Sequence, residues 1–273
     1  MNYYYLIAGL PDLSLDEDSP IIDTEEVVDT IRRNLTPADE AQLRYLIYPN
    51  DHRNFLNVLF HKFHSFPPLP FITPTTLTES DLQNYHQQQS VFPSYLGEFI
   101  SSHEDQFTTL SPRQLEETLW ELFYDEVEQQ DSFIADYFRF NRQLKEMAAI
   151  YNAANYSFLS EPTTTEDREV KAIGGGRAIP ATWLRDYPYL EDLGESVNSK
   201  NPDRIARFMD QVRWHYLEDV SGFFGREQVF TYTLKLLIVV RWQQLAQVPG
   251  TTRFEDLLTT IKETIQQPKT SVL

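Results

Sequence analysis

Apolar residues recur at α-helical spacing through most of this chain. After Pro112, the residues Leu115, Leu119, Leu122, Phe123 and Val127 fall on one face. Phe55, Leu56, Leu59, Phe60 and Phe63 repeat the pattern, as do Ile205, Phe208, Met209, Val212 and Tyr216. Phe254, Leu257, Leu258, Ile261 and Ile265 predict one more amphipathic helix. Segment 227–245 is different, because Val229, Phe230, Tyr232, Leu234, Leu236–Val240 and Trp242 cover almost every face. That distribution predicts a central helix surrounded by others.

Helix starts are legible too. Thr36-Pro37, Ser111-Pro112 and Asn201-Pro202 each pair a good N-cap with proline at the first helical position, where a missing N–H costs nothing. Ser111 with Gln114 reads as a capping box. Period-two alternation is rare, and only Tyr3–Leu10 reads as extended. Phe66–Thr78, rich in proline, and Ser160–Gly176, with its threonines, charges and glycines, read as loops, the second flexible. The expected fold is all-α, a funnel-like or bundle-like packing of amphipathic helix pairs around the central hydrophobic helix. It forms one domain over residues 1–273, open to division into two intimate halves, 1–110 and 111–273.

Composition narrows the function. The 273 residues carry a net charge of −18. Residues 1–136 hold 24 acids against 6 bases, whereas residues 137–273 hold 17 of each. Most of the excess falls in 16–29 and 98–136. Such a balance excludes nucleic-acid binding and polybasic docking on anionic lipid. With no cysteine, disulfides and thiolate metal sites are excluded. The longest aliphatic run, Leu236–Val240, is far shorter than the roughly 20 residues of a spanning helix. No direct membrane insertion and no secretory leader are expected, so the reading is cytoplasmic. Glycine–lysine phosphate loops, spaced dinucleotide glycines, serine elbows and zinc-helix motifs are missing from the sequence, and no cofactor is expected.

Several residues invite chemistry. His52, His61 and His64 cluster along one segment, and His215 with Glu218 forms a lone His-x-x-Glu, so a His-dependent metalloenzyme is one alternative. No carboxylate accompanies the first group, which is interleaved with phenylalanines, and amphipathic packing is the simpler reading. Gly174-Gly175-Gly176-Arg177 offers backbone N–H groups to an anion, but no strand leads into it, which favours a connector. Arg207, Arg213-Trp214 and Arg241-Trp242 are explained by cation–π or carboxylate pairing in the core. Tyr48–Asn57 and Asp136–Lys145 form a weak internal echo, each setting an Arg and an Asn before a helical stripe, and chance similarity between two amphipathic helices explains it equally well.

Glu117, Glu121, Asp125 and Glu128 are the candidate partner-binding residues. They follow i, i+4, i+8, i+11 opposite the Leu115–Leu119–Leu122 stripe. Like charges at this spacing cost a helix about 0.2–0.5 kcal/mol per pair. A solvated face tolerates that cost, and a basic partner would remove it. Glu126 falls near the apolar stripe and has no explanation in the sequence.

The string Tyr3-Tyr4-Tyr5-Leu6-Ile7-Ala8-Gly9-Leu10-Pro11-Asp12-Leu13 resembles the opening of an uncharacterised bacterial family encoded among the subunits of V-type (A/V-type) ATPases. Asn201-Pro202-Asp203-Arg204-Ile205-Ala206-Arg207-Phe208, Arg213-Trp214 and Lys235-Leu236-Leu237 fit the same family. That family is distantly similar to the C subunit of V-type ATPases (the eukaryotic d subunit), a helical funnel between the central stalk and the membrane rotor ring. Its members open with aromatic-x-Tyr-Leu-x-Ala-Arg and repeat helix pairs introduced by Asp-x-x-Asn. Asp51-His52-Arg53-Asn54 matches the latter, Tyr4–Ala8 approximates the former, and Gly9 replaces the arginine. The resemblance implies a non-catalytic subunit, peripheral to the inner face of the cell membrane. Its partners would be the stalk and rotor-ring subunits, and its role proton or sodium transport. An assembly factor or generic helical interaction module is the alternative.

Overall fold

A computed structural model of the chain describes residues 3–15, 21–87, 89–156, 201–222 and 225–247, with Arg185, Pro188, Tyr189, Asp192, Leu193, Ser196 and Ser199. It is all-α, with no strand among the described residues. The helices are α1 (Tyr4–Gly9), α2 (Thr24–Asn34), α3 (Pro37–His64), α4 (Glu79–Gln83), α5 (Ser94–His103), α6 (Pro112–Val127), α7 (Ser132–Tyr156), α8 (Pro202–Val220) and α9 (Arg226–Gln247). The expected helix at Phe254–Ile265 and the loop at Ser160–Gly176 lie outside the described residues, as does Gly174–Arg177.

The three proline-marked starts are built as the sequence predicts. Thr36 accepts the Asp39 N–H, Ser111 and Gln114 close a reciprocal capping box, and Asn201 accepts the N–H groups of Asp203 and Arg204. Each side chain satisfies helix donors that have no partner within the helix. Asp131 does the same for α7 by accepting the Phe133 N–H.

Two expectations need correction. Tyr3–Leu10 is not extended; Tyr4–Gly9 is a short helix. Its neighbours are held by long-range contacts: the buried Tyr3 hydroxyl donates to Asp39, and Tyr232 donates to the Pro11 carbonyl at 2.9 Å. Nor does Asp51-x-x-Asn54 introduce a helix. It lies inside α3, which runs 28 residues, about 42 Å at 1.5 Å per residue. Here the two polar side chains clamp the proline-rich segment instead. Asn54 exchanges two hydrogen bonds with the Ile72 backbone, at 2.8 and 2.9 Å. Asp51 accepts from the N–H and hydroxyl of Thr76 and from the Leu77 N–H. Asn50 reaches the Pro74 carbonyl at 3.0 Å. A buried carboxylate and carboxamide thus satisfy backbone groups of a segment that has no ladder of its own.

One apolar core runs through α2, α3, α5, α6, α7 and α9. Phe123 is its aromatic hub, edge-on to His52, Trp120 and Phe138 and within 5.3 Å of the Tyr95 ring centroid. Helix α9 packs against α2, α3 and α8 and buries Val229, Phe230, Leu234, Leu236, Val239 and Val240, in keeping with its all-round apolar sequence.

Candidate functional site

The acidic face of α6 is where its periodicity puts it. Glu117, Glu121 and Asp125 are exposed, and Glu128, also exposed, caps the C-terminus of the helix. Glu117 pairs with Arg113 at 2.6 Å. Glu126 turns inward. Its carboxylate accepts the Tyr45 hydroxyl at 2.8 Å, the Ser94 hydroxyl and the Tyr95 N–H at 2.9 Å. Helix α5 begins after Pro93, which has no side chain to cap it, so an acid from α6 supplies the cap. That long-range role explains an acid beside an apolar stripe.

The histidines do not converge. His52 is fully buried, with Nε2 2.6 Å from the Tyr95 hydroxyl and its ring edge-on to Trp120 and Phe123. Burial, aided by the nearby Lys145 charge, pulls its pKa down to about 3, so the ring is neutral. His61 lies 2.8 Å from the Phe66 carbonyl, and His64 stacks edge-on to Phe60. His215 meets Glu218, which is also held by Lys235 and Trp214. Among the described residues, no three His, Asp or Glu side chains gather as a metal site requires.

A recess of about 140 Å³ opens where α3, α6, α7, α8 and α9 meet. Three helices build it by the same device, a mainly apolar stripe that ends in a cation. On α3 the stripe is Leu46, Pro49, Asn50 and Arg53, and on α9 it is Leu234, Leu237, Ile238 and Arg241. On α7 it is Tyr137, Phe138, Asn141 and Lys145. The positions fall at i, i+3, i+4, i+7 on α3 and α9 and at i, i+1, i+4, i+8 on α7, so each set shares one helix face. Helix α8 adds Asp210 and Arg213, and α6 adds Trp120.

Four cations therefore face a single carboxylate. Asp210, 1 % exposed, takes Arg213 at 2.7 Å, the Trp242 indole N–H at 2.7 Å and the Arg241 guanidinium. Arg213 also donates from Nε to the Asn141 carbonyl oxygen at 2.8 Å. The expected carboxylate pairing is present for both arginines, and Arg207 and Arg241 each stack over Trp242 at 5.5 Å.

Arg53 and Lys145 have no ion pair or hydrogen bond among the described residues; Lys145 rests 4.1 Å from the Trp120 ring centroid. Both present surface to solvent, yet protein crowds them on most sides, as expected of groups lining a water-filled hollow. Burial pulls the Lys145 ammonium down to about 8, and the Arg213 and Arg53 charges push the same way against Glu116. Burial, then Arg53, lowers Arg241 to about 10. Arg53 and Arg213 are lowered as well, chiefly by burial. All four pKa values are thus lowered, those of Arg213 and Arg241 despite the carboxylate they share, as happens both at functional sites and in structural ion-pair networks.

Segments Tyr48–Asn57 and Asp136–Lys145 both line the hollow, the first through Asn50 and Arg53 and the second through Asn141 and Lys145. The convergence itself is not legible in the sequence. Arg213 and Arg241 look like paired core arginines there, and only the fold brings Arg53 and Lys145 beside them.

A family model described as a protein of unknown function, DUF2764, matches residues 1–265. The chain belongs to the DUF2764 family. No curated protein and no solved structure matches it significantly. The match spans every described helix of this DUF2764 protein, including the five that form the recess.

Proposed function

We propose that this DUF2764 protein is a non-catalytic part of a bacterial V-type ATPase, acting like the C subunit of those enzymes as a stiff coupling element between central stalk and membrane rotor ring. The observation that carries the reading is how the resembling strings are built. Tyr3–Leu13 is tied to α3 and α9 through Tyr3–Asp39 and Tyr232–Pro11, and Asp51-x-x-Asn54 locks α3 to the segment after it. Those residues stiffen the body. Long helices joined by interlocked aromatic rings suit an element that transmits torque rather than one that closes around a substrate. No helix among the described residues is long and apolar enough to cross a membrane, so attachment would run through protein contacts. The Glu117–Glu121–Asp125–Glu128 face is the surface offered to a basic neighbour, at the inner face of the cell membrane.

The test is purification of the ATPase from its native host through one of its other subunits. The reading expects a stoichiometric copy of this chain, lost when Glu117, Glu121, Asp125 and Glu128 are reversed to lysine. A copy found only with soluble, unassembled subunits would make the chain an assembly factor. Complete absence would end the association.

A further inference from the structure

We infer that the recess between α3, α7 and α9 is a binding site for a compact phosphate-bearing anion, gripped by Arg53, Lys145 and the Asn141 carboxamide. The inference is independent of the ATPase reading and stands or falls without it.

Charge is the first argument. The chain has an excess of acids, yet the hollow gathers four cations around one carboxylate. A fold seeking only stability would spread or pair them, since like charges facing one hollow repel one another. Asp210 already serves Arg213 and Arg241. Arg53 and Lys145 have nothing comparable; Glu116 acts on them from outside the lining. A hollow lined by one sign of charge focuses its field on whatever enters, and the acids on the outer surface are screened over about 8 Å at physiological salt.

Donor chemistry is the second argument. The Asn141 carbonyl oxygen is committed to Arg213, which turns the amide N–H₂ to other partners. An arginine fork, a lysine point charge and a carboxamide are the usual set for phosphoryl oxygens. Size is the third. About 140 Å³ gives room for one or two phosphoryl groups, and the rest of a larger ligand would project from the open side. A nucleotide would seat only its phosphate tail. An excess of three positive charges favours a ligand with at least two negative ones.

The probe is sodium pyrophosphate added to the full chain, with sodium chloride matching ionic strength, followed by calorimetry and thermal unfolding. The expected result is saturable one-to-one binding, weakened at least tenfold by R53Q or K145Q and unchanged by R139Q, an exposed control. Arg53 and Lys145 hold no hydrogen bond and repel each other and Arg213, which offsets the Lys145–Trp120 contact, so the unliganded R53Q/K145Q protein should melt no lower than wild type. A purely structural pair would lower it. In the wild-type protein, pyrophosphate should shield Lys145 from acetic anhydride at pH 8 while the exposed Lys62 continues to react. Displacement of pyrophosphate by orthophosphate alone assigns a free phosphate, and displacement by ATP a nucleotide tail; either supports the site. No saturable heat, unchanged binding in both variants, or citrate binding as tightly as pyrophosphate would overturn it.

Discussion

Helix α6 stands between two regions of opposite charge. Its outer face carries Glu117, Glu121 and Asp125, with Glu128 at the end, while Trp120 on its other side walls the recess of Arg53, Lys145, Arg213 and Arg241. Four like charges sit in each region, but their physics differs. Water solvates the acids, and one of them pairs along the helix with Arg113. Of the cations, Arg213 is buried and Arg241 half-buried against Asp210 while Arg53 and Lys145 reach solvent, and every one of them has its pKa lowered, first by burial. A charge run along one helix is conspicuous in a sequence and cheap in a structure. A charge cluster assembled from four helices is the reverse.

The strongest way to break this contrast is at Asp210. Asp210→Ala would leave Arg213 and Arg241 without their shared carboxylate. Loss of one partner of a buried ion pair costs about 3–5 kcal/mol, so urea unfolding should show a drop of that size. A loss below about 1 kcal/mol would mean that water already screens the recess.

A pH series at Asp51 comes next. Burial raises this carboxyl to about 6, outweighing the hydrogen bonds from Thr76 and Leu77 and the nearby Arg32. Between about pH 4 and pH 6 the folded chain therefore holds a proton that the unfolded chain has released. Stability contributed by Asp51 is present below the unfolded value and declines as pH rises to 6, by roughly 2–3 kcal/mol in all. Asp51→Asn should flatten that decline relative to wild type in denaturant melts at successive pH values. An unchanged slope would remove Asp51 as its cause.

Glu126 sharpens the comparison within a single helix, since it neighbours the exposed Asp125. Glu126→Ala leaves the Tyr45 hydroxyl and the Tyr95 N–H without their acceptor, at about 1–3 kcal/mol. Asp125→Ala should change chemical stability by less than about 0.5 kcal/mol. Smallest of all is the acidic face itself. Neutralising Glu121 and Asp125 together should leave the melting temperature unchanged or slightly raised, by a few tenths of a kcal/mol per relieved pair. A marked fall would show that the face is part of the fold.

How much of this was legible in the sequence depends on distance along the chain. Thr36, Ser111 and Asn201 act on groups two or three residues away, and all three caps form as read. Stripes such as Leu115–Leu119–Phe123 bury because helical geometry alone decides which positions share a face. Tyr3–Leu10 reads as extended in the sequence because its short aromatic run has no period long enough to separate strand from helix, and tertiary hydrogen bonds beside it are invisible there. Asp51-x-x-Asn54 suggests a helix entry for a related reason. Polar residues inside a helix resemble a boundary until the segment they clamp, Ile72–Leu77, is folded against them. Glu126 and the recess are wholly long-range. No local pattern announces that Arg53, Lys145, Arg213 and Arg241, spread over nearly two hundred residues, share one hollow. The signal that was there is the stripe ending in a cation, which recurs on α3, α7 and α9.

The most direct measurement is a crystal of the full chain grown with sodium tungstate, read by the anomalous scattering of tungsten. Tungstate is a tetrahedral dianion and stands in for a phosphoryl group. The expected result is a peak inside the recess within hydrogen-bonding reach of Arg53, Lys145 and Asn141, absent from crystals of R53Q/K145Q. Tungsten on exposed surface cations only, with the recess holding nothing but water, would contradict it.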